Sequence, residues 1–169
     1  MPRVWTTGEP GEGRTRSVAS RPVLARERPA CRREFPERGS TPVIAPSDRE
    51  DPHHQEAREL AEQILQERVQ VVTTQNVRVE IGNGLSAVGS RSFAVRYIRA
   101  VEEADTFEVV ESSPDLFQRG LALYEERQDK AWGITDCISF VVMRERGLRE
   151  ALTTDNDFEQ AGFNALLGR

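Results

Sequence analysis

Trp132-Gly133-Ile134-Thr135-Asp136-Cys137-Ile138-Ser139-Phe140-Val141-Val142-Met143 is the stretch on which the fold turns. From Asp136 to about Arg146 it reads as a helix that is apolar on nearly every side, with Ile138, Phe140, Val141, Val142 and Met143 spread around it. A helix without a polar face is expected inside the molecule. Thr135 is the expected N-cap and Gly147 the expected stop: a hydroxyl satisfies the free first-turn N–H groups, and glycine accepts the left-handed turn that ends a helix. Asp136 then falls in the first turn, where the helix dipole favours a negative charge.

Outward from this helix, short apolar runs alternate with helical periods. Downstream, Ala151-Leu152-Thr153 predicts a strand, and Phe163 to Leu167 a last one. Upstream, Ser113-Pro114 opens a helix with Leu116, Phe117, Leu121 and Tyr124 on its apolar face, and Phe107-Glu108-Val109-Val110 is a strand. Phe93, Tyr97, Ile98 and Val101 mark another helix, and Thr74 caps one carrying Val77, Ile81, Leu85 and Val88. Val69 to Val72 is a strand. Asp51-Pro52 starts a first helix with Ala57, Leu60, Ala61, Ile64 and Leu65 on one side. Strands alternating with helices predict an α/β fold, three layers α/β/α around a mainly parallel sheet.

The chain divides near residue 46. Seven of its nine prolines lie at or before Pro46, among nine Arg and five Glu, with no helical or strand period. Such a segment buries too little apolar surface to offset its ordering entropy, so 1–38 is expected to be a disordered Arg/Pro-rich tail and 39–169 the folded domain. Residues 47–169 hold fourteen basic and twenty-three acidic residues. That balance argues against a broad basic face for duplex nucleic acid, but not against an enzyme meeting a polyanion through a cation. No run of eighteen apolar residues exists, so no membrane span is expected, and the absence of a signal-like apolar stretch predicts a cytoplasmic protein. Cys31 and Cys137 form neither a disulfide framework nor a zinc site.

In open parallel sheets, functional groups gather beyond the carboxyl ends of strands. Asp155 follows the strand ending at Thr153, Asp136 starts the buried helix, and Glu80 stands at the margin of the Val77–Ile81 face. Three elements therefore each offer one carboxylate, and gathering them calls for a cation. Oxygen-only ligands suit Mg²⁺ or Mn²⁺, which support in-line attack at phosphorus. Taken alone, Asp136 and Asp155 read as well as cap or first-turn charges, and Glu80 as an exposed helix edge. Spacing supplies candidates only. His53 and His54 read as exposed residues, Cys137 as a buried structural thiol and Trp132 as packing at a cleft edge.

The 132–143 stretch closely resembles the signature of bacterial PIN-domain proteins of the VapC toxin group. Ala151-Leu152-Thr153-Thr154-Asp155, then Asp157 to Phe163 and Leu166-Leu167, continue the resemblance in register. Asp51 to Ala57 is similar to the start of the family's first connecting helix, and Val79-Glu80-Ile81-Gly82-Asn83 to its second acidic motif. The match covers roughly 51–167. It implies a PIN fold, a Mg²⁺ or Mn²⁺ requirement and cleavage of RNA by the toxin of a type II toxin–antitoxin pair. A homodimer silenced by a small antitoxin protein is implied with it. Carried over residue by residue, Glu80, Asp136 and Asp155 match acidic metal-ligand positions, Asp157 matches a more variable one, and Thr135 a supporting one.

The departure is at the start. The family opens on an apolar strand ending in Asp, whereas here Gly39 falls at that position if Val43-Ile44-Ala45 aligns with the apolar segment that follows. Cys31 to Pro36 is charged and carries a proline, unlike a central parallel strand. The first strand is thus expected to be degenerate or missing. Two explanations stand: an impaired domain that binds RNA or antitoxin without cutting, or a shifted reading frame or wrong start upstream of codon 48.

Overall fold

The computed structural model describes residues 23–24, 26–27 and 54–167. Gly39, the Asp51-Pro52 cap and, apart from those four residues, the tail lie outside the described residues, as do the side chains of His53, His54, Ala57 and Leu65. The elements are β1 (Val23–Leu24), β2 (Arg26–Glu27), α1 (His54–Gln66), β3 (Gln70–Thr74), α2 (Gln75–Gly84), α3 (Arg91–Glu103), β4 (Phe107–Val110), α4 (Pro114–Glu126), α5 (Ile134–Glu145), β5 (Glu150–Leu152), α6 (Asn156–Gln160) and β6 (Asn164–Ala165).

Strand β3 sets the layering. Val71 to Thr74 is a continuous buried run, as a strand covered on both faces requires. Successive side chains point to opposite faces, so Val71 and Val72 enter different cores. Val72 joins a cluster built from α4, α5 and α6, centred on Phe140, Ile138, Met143 and Phe158. Val71 joins a second, with Ile64 of α1, Val77 and Ile81 of α2 and Ala94 of α3. Ala151 and Leu152 of β5 divide in the same way. The α/β/α reading follows directly from this alternation.

β3 pairs in parallel with β4, Thr74 opposite Val110, and β5 pairs in parallel with β6. Between these pairs lie the two dipeptides of the N-terminal segment. β1 runs antiparallel to β5 and β2 antiparallel to β3. Where the resemblance leads one to expect a parallel apolar first strand, the described residues show Val23-Leu24 and Arg26-Glu27 in two short antiparallel pairings that the aperiodic sequence does not signal.

Helix α5 is buried as its composition requires, with Phe140 and Cys137 fully covered and Trp132, Phe158 and Phe163 packed around Phe140. Gly147 takes the left-handed conformation, φ 67°, just past the helix. The start differs from expectation. Gly133 is the N-cap, not Thr135, which lies inside the first turn, and the Gly133 N–H donates to Asp136 Oδ2 at 3.0 Å. Asp136, at the third helical position, reaches back over the turn to the N-cap N–H, and no hydroxyl caps this helix.

Helix α4 presents a different face from the one its apolar pattern suggests. Leu116, Gly120 and Leu123 are buried, while Phe117 and Tyr124 are 44% and 48% exposed. The cause is Gly120: a Cβ there would lie 2.4 Å from Ile138 Cγ1 and 3.2 Å from the Ile138 Cα, so α5 packs against bare backbone. A periodicity scan weighs large apolar side chains and is blind to this contact. Val88 is likewise misplaced, since α2 ends at Gly84 and Val88 is 94% exposed on the turn beyond it. The expected caps at Thr74 and Ser113 are present, accepting from Val77 N and Leu116 N.

Candidate metal centre

Asp136 stands in the first turn of α5, and Asp155 and Asp157 follow the carboxyl end of β5, at and just inside the start of α6. Asp136, Asp155 and Asp157 each bring a carboxylate oxygen into a group whose members lie within 4.8 Å of one another. Asp136 and Asp157 are only 4% and 8% exposed, and Asp155 is half-buried.

Each carboxylate is held by its own local device. Asp136 is fixed by the Gly133 N–H, and Gly133 is the residue that fits: a Cβ there would stand 3.0 Å from Asp136 Oδ2. Asp155 is positioned from both directions. Its N–H donates to Thr153 Oγ1 at 3.0 Å, and its Oδ1 accepts from Asp157 N at 3.0 Å, capping α6. Asp157 Oδ1 accepts from Gln160 Nε2 at 3.2 Å, one turn further along. Gly133, Thr153 and Gln160 were not legible as site residues, because each acts through one polar contact that leaves no periodic trace. The helix α6 was missed for a related reason: five residues are too few for a helical period to appear.

Glu80 is not in this group. It lies on α2 and lines an open groove of about 410 Å³ together with Gln75, Asn76, Val79, Ser112 and Thr135. Thr135, the residue before Asp136, lines the wall opposite α2, and Asp136, Asp155 and Asp157 are not among the lining residues.

Behind the acids the interior is inert. Cys137 is fully covered, and burial, followed by the charges of Asp136 and Asp157, pushes its thiol up to about 11 against the opposing pull of Arg144. A thiol in that state is not a nucleophile near neutral pH. Trp132 is buried rather than at a cleft edge. It sits edge-on to Phe140, with the Arg127 guanidinium 4.7 Å from its ring centre, and is not presented for stacking on a base.

The donor set fits a hard divalent cation: oxygen only, carboxylate-rich, converging and largely shielded from water. Three carboxylates this close repel one another, and a cation offsets that repulsion.

Residues 42–164 match the profile of the PIN domain, and the chain belongs to the PIN domain family. Its fold is similar to that of Mycobacterium tuberculosis VapC20, a Sarcin-Ricin loop cleaving toxin, with a TM-score of 0.62 over 76% of this chain and 95% of that one, at 22% identity. No curated protein matches the chain.

Proposed function

We propose that the chain is a metal-dependent endoribonuclease, the toxin of a VapBC-type toxin–antitoxin pair. The convergence of Asp136, Asp155 and Asp157 on the strand-end side of a PIN fold carries this reading. The resemblance of 132–163 to the VapC signature gives the convergence its chemistry. Asp136, Asp155 and Asp157 would hold Mg²⁺ or Mn²⁺, with Glu80 and Thr135 serving the same site from the groove side. When bound, the cation would neutralise charge on the phosphate undergoing in-line attack. The protein's own part is positioning. Gly133 N–H, Asp157 N–H and Gln160 Nε2 donate to the carboxylates of Asp136, Asp155 and Asp157, and Thr153 Oγ1 accepts from the Asp155 backbone N–H.

In this proposal the functional unit is 39–169, working in the cytoplasm as a homodimer, with RNA as substrate and a small antitoxin protein as silencing partner. No helix among the described residues is long and apolar enough to cross a membrane. Incubating the full chain with RNA and Mn²⁺ tests the reading. Cleavage should appear, disappear in EDTA, and fall at least about a hundredfold in Asp136→Asn, as expected for losing several kcal/mol of transition-state stabilisation. Cleavage that survives chelator or the substitution contradicts it.

A second reading is favoured by one observation, glycine at position 39 where the family resemblance places an acid. On that reading the domain binds RNA or antitoxin without cutting. It predicts no cleavage even at high Mn²⁺ and none in a folded Gly39→Asp variant, whereas a gain of cleavage there marks the chain as an impaired nuclease.

A further inference from the structure

Helix α2 turns one face to the groove, and that face is not acidic at its start. Gln75 and Asn76 directly follow β3, and Ser112 follows the adjacent parallel strand β4. Both carboxamides are tied to the same serine: Gln75 Oε1 accepts from Ser112 N at 3.0 Å, and Asn76 Oδ1 accepts from Ser112 Oγ at 2.8 Å. Fixing the oxygens fixes the orientation of the amides, because each carboxamide has one acceptor end and one donor end. Each NH₂ group is thereby the end of its amide turned away from Ser112, and neither donates to a described residue. Val79, 58% exposed, adds an apolar surface one turn along the same groove wall.

The composition of this groove tells base from phosphate. None of its lining residues is Arg or Lys, so the side chains of the groove themselves offer a phosphate no cationic partner. Neutral amide donors next to an apolar surface instead match the edge and face of a nucleobase. A volume of about 410 Å³ lies in the range of small-ligand pockets.

We infer that Gln75, Asn76 and Val79 form a base-reading subsite that takes one nucleobase beside the scissile phosphate. The inference rests on the nuclease reading for its substrate, RNA. Paired donors select bases with two adjacent acceptors, which are cytosine through O2 and N3 and guanine through O6 and N7. Adenine and uracil each interpose a donor. Thr135, which lines the same groove, is the chain neighbour of Asp136, and this is the link between the subsite and the acids.

The test is fluorescence anisotropy of the full chain with labelled UUXUU pentaribonucleotides in EDTA, where no cleavage can occur. The oligonucleotides with C or G at X should bind roughly tenfold tighter than those with A or U, the discrimination expected of a paired amide contact. The double variant Gln75→Ala/Asn76→Ala should bring all four within about twofold. Equal binding of the four by the native chain, preference for A or U, or preference retained in the double variant overturns the subsite. If the double variant melts early, Val79→Arg replaces it: that exposed position tolerates a long side chain, which fills the groove and should abolish base preference without lowering total affinity. Preference surviving in Val79→Arg likewise overturns the inference. Base preference without Mn²⁺-dependent cleavage would sink the nuclease reading alone, and cleavage without base preference would sink the subsite alone.

Discussion

Three carboxylates with oxygens within 4.8 Å of one another carry a mutual repulsion that a cation offsets. That repulsion makes Asp136→Asn informative at the level of a single residue. The amide oxygen can still accept from the Gly133 N–H, so the helix start is kept while one charge is removed. We expect the metal-free variant to melt no lower than the native protein, and a few degrees higher where the carboxylates are ionised; a large drop in Tm would show that the charge itself supports the fold. Cys137 gives a second residue-level expectation. With its thiol buried and pushed up to about 11, it should stay unreactive to a disulfide reagent at pH 8 in a Cys31→Ser background, and react fully once denatured. Rapid labelling of the folded protein would contradict the buried placement. Asp136 and Asp155 were legible beforehand because the carboxyl ends of parallel strands and helix starts are where functional acids collect. Asp157 came through the family resemblance alone, and Gly133 and Thr153 came through neither, since a backbone N–H and a single hydroxyl contact leave no pattern to read.

Among the elements, α4 and α5 show where periodicity reaches and where it stops. The buried character of α5, its glycine stop and the capped starts of α2 and α4 follow from side-chain chemistry and are found as expected. The orientation of α4 does not, because the residue that sets it has no side chain. Gly120→Val should destabilise the domain by about 1 to 3 kcal/mol through overpacking against Ile138, measurable by urea denaturation. Phe117→Ser, on the exposed side of the same helix, should cost the folded monomer well under about 1 kcal/mol. The reverse order of these two effects would mean that α4 packs with its large apolar residues inward after all. Truncating Phe140, which touches three other aromatic rings, should cost about 3 to 5 kcal/mol.

For the whole molecule, the parallel pairings of β3 with β4 and of β5 with β6 were readable from the alternation of elements, whereas the antiparallel additions of β1 and β2 were not. Short antiparallel pairings from an Arg- and Pro-rich segment depend on what the rest of the sheet leaves open, and that is a tertiary property rather than a local one. The two cores meet across β3 and β5, so a ligand tying α5 to the end of β5 should stabilise the domain as a unit. Mn²⁺ at about a hundred times its Kd should add about 2.7 kcal/mol of stability. The resulting rise in Tm should be absent with Ca²⁺-free, Mg²⁺-free buffer plus EDTA and strongly reduced in Asp136→Asn. The most direct test of the central claim is RNA cleavage by the native full-length chain in Mn²⁺, run beside Asp136→Asn and an EDTA control. The account predicts cleavage by the native chain alone in Mn²⁺; cleavage undiminished by the substitution or by the chelator would contradict it.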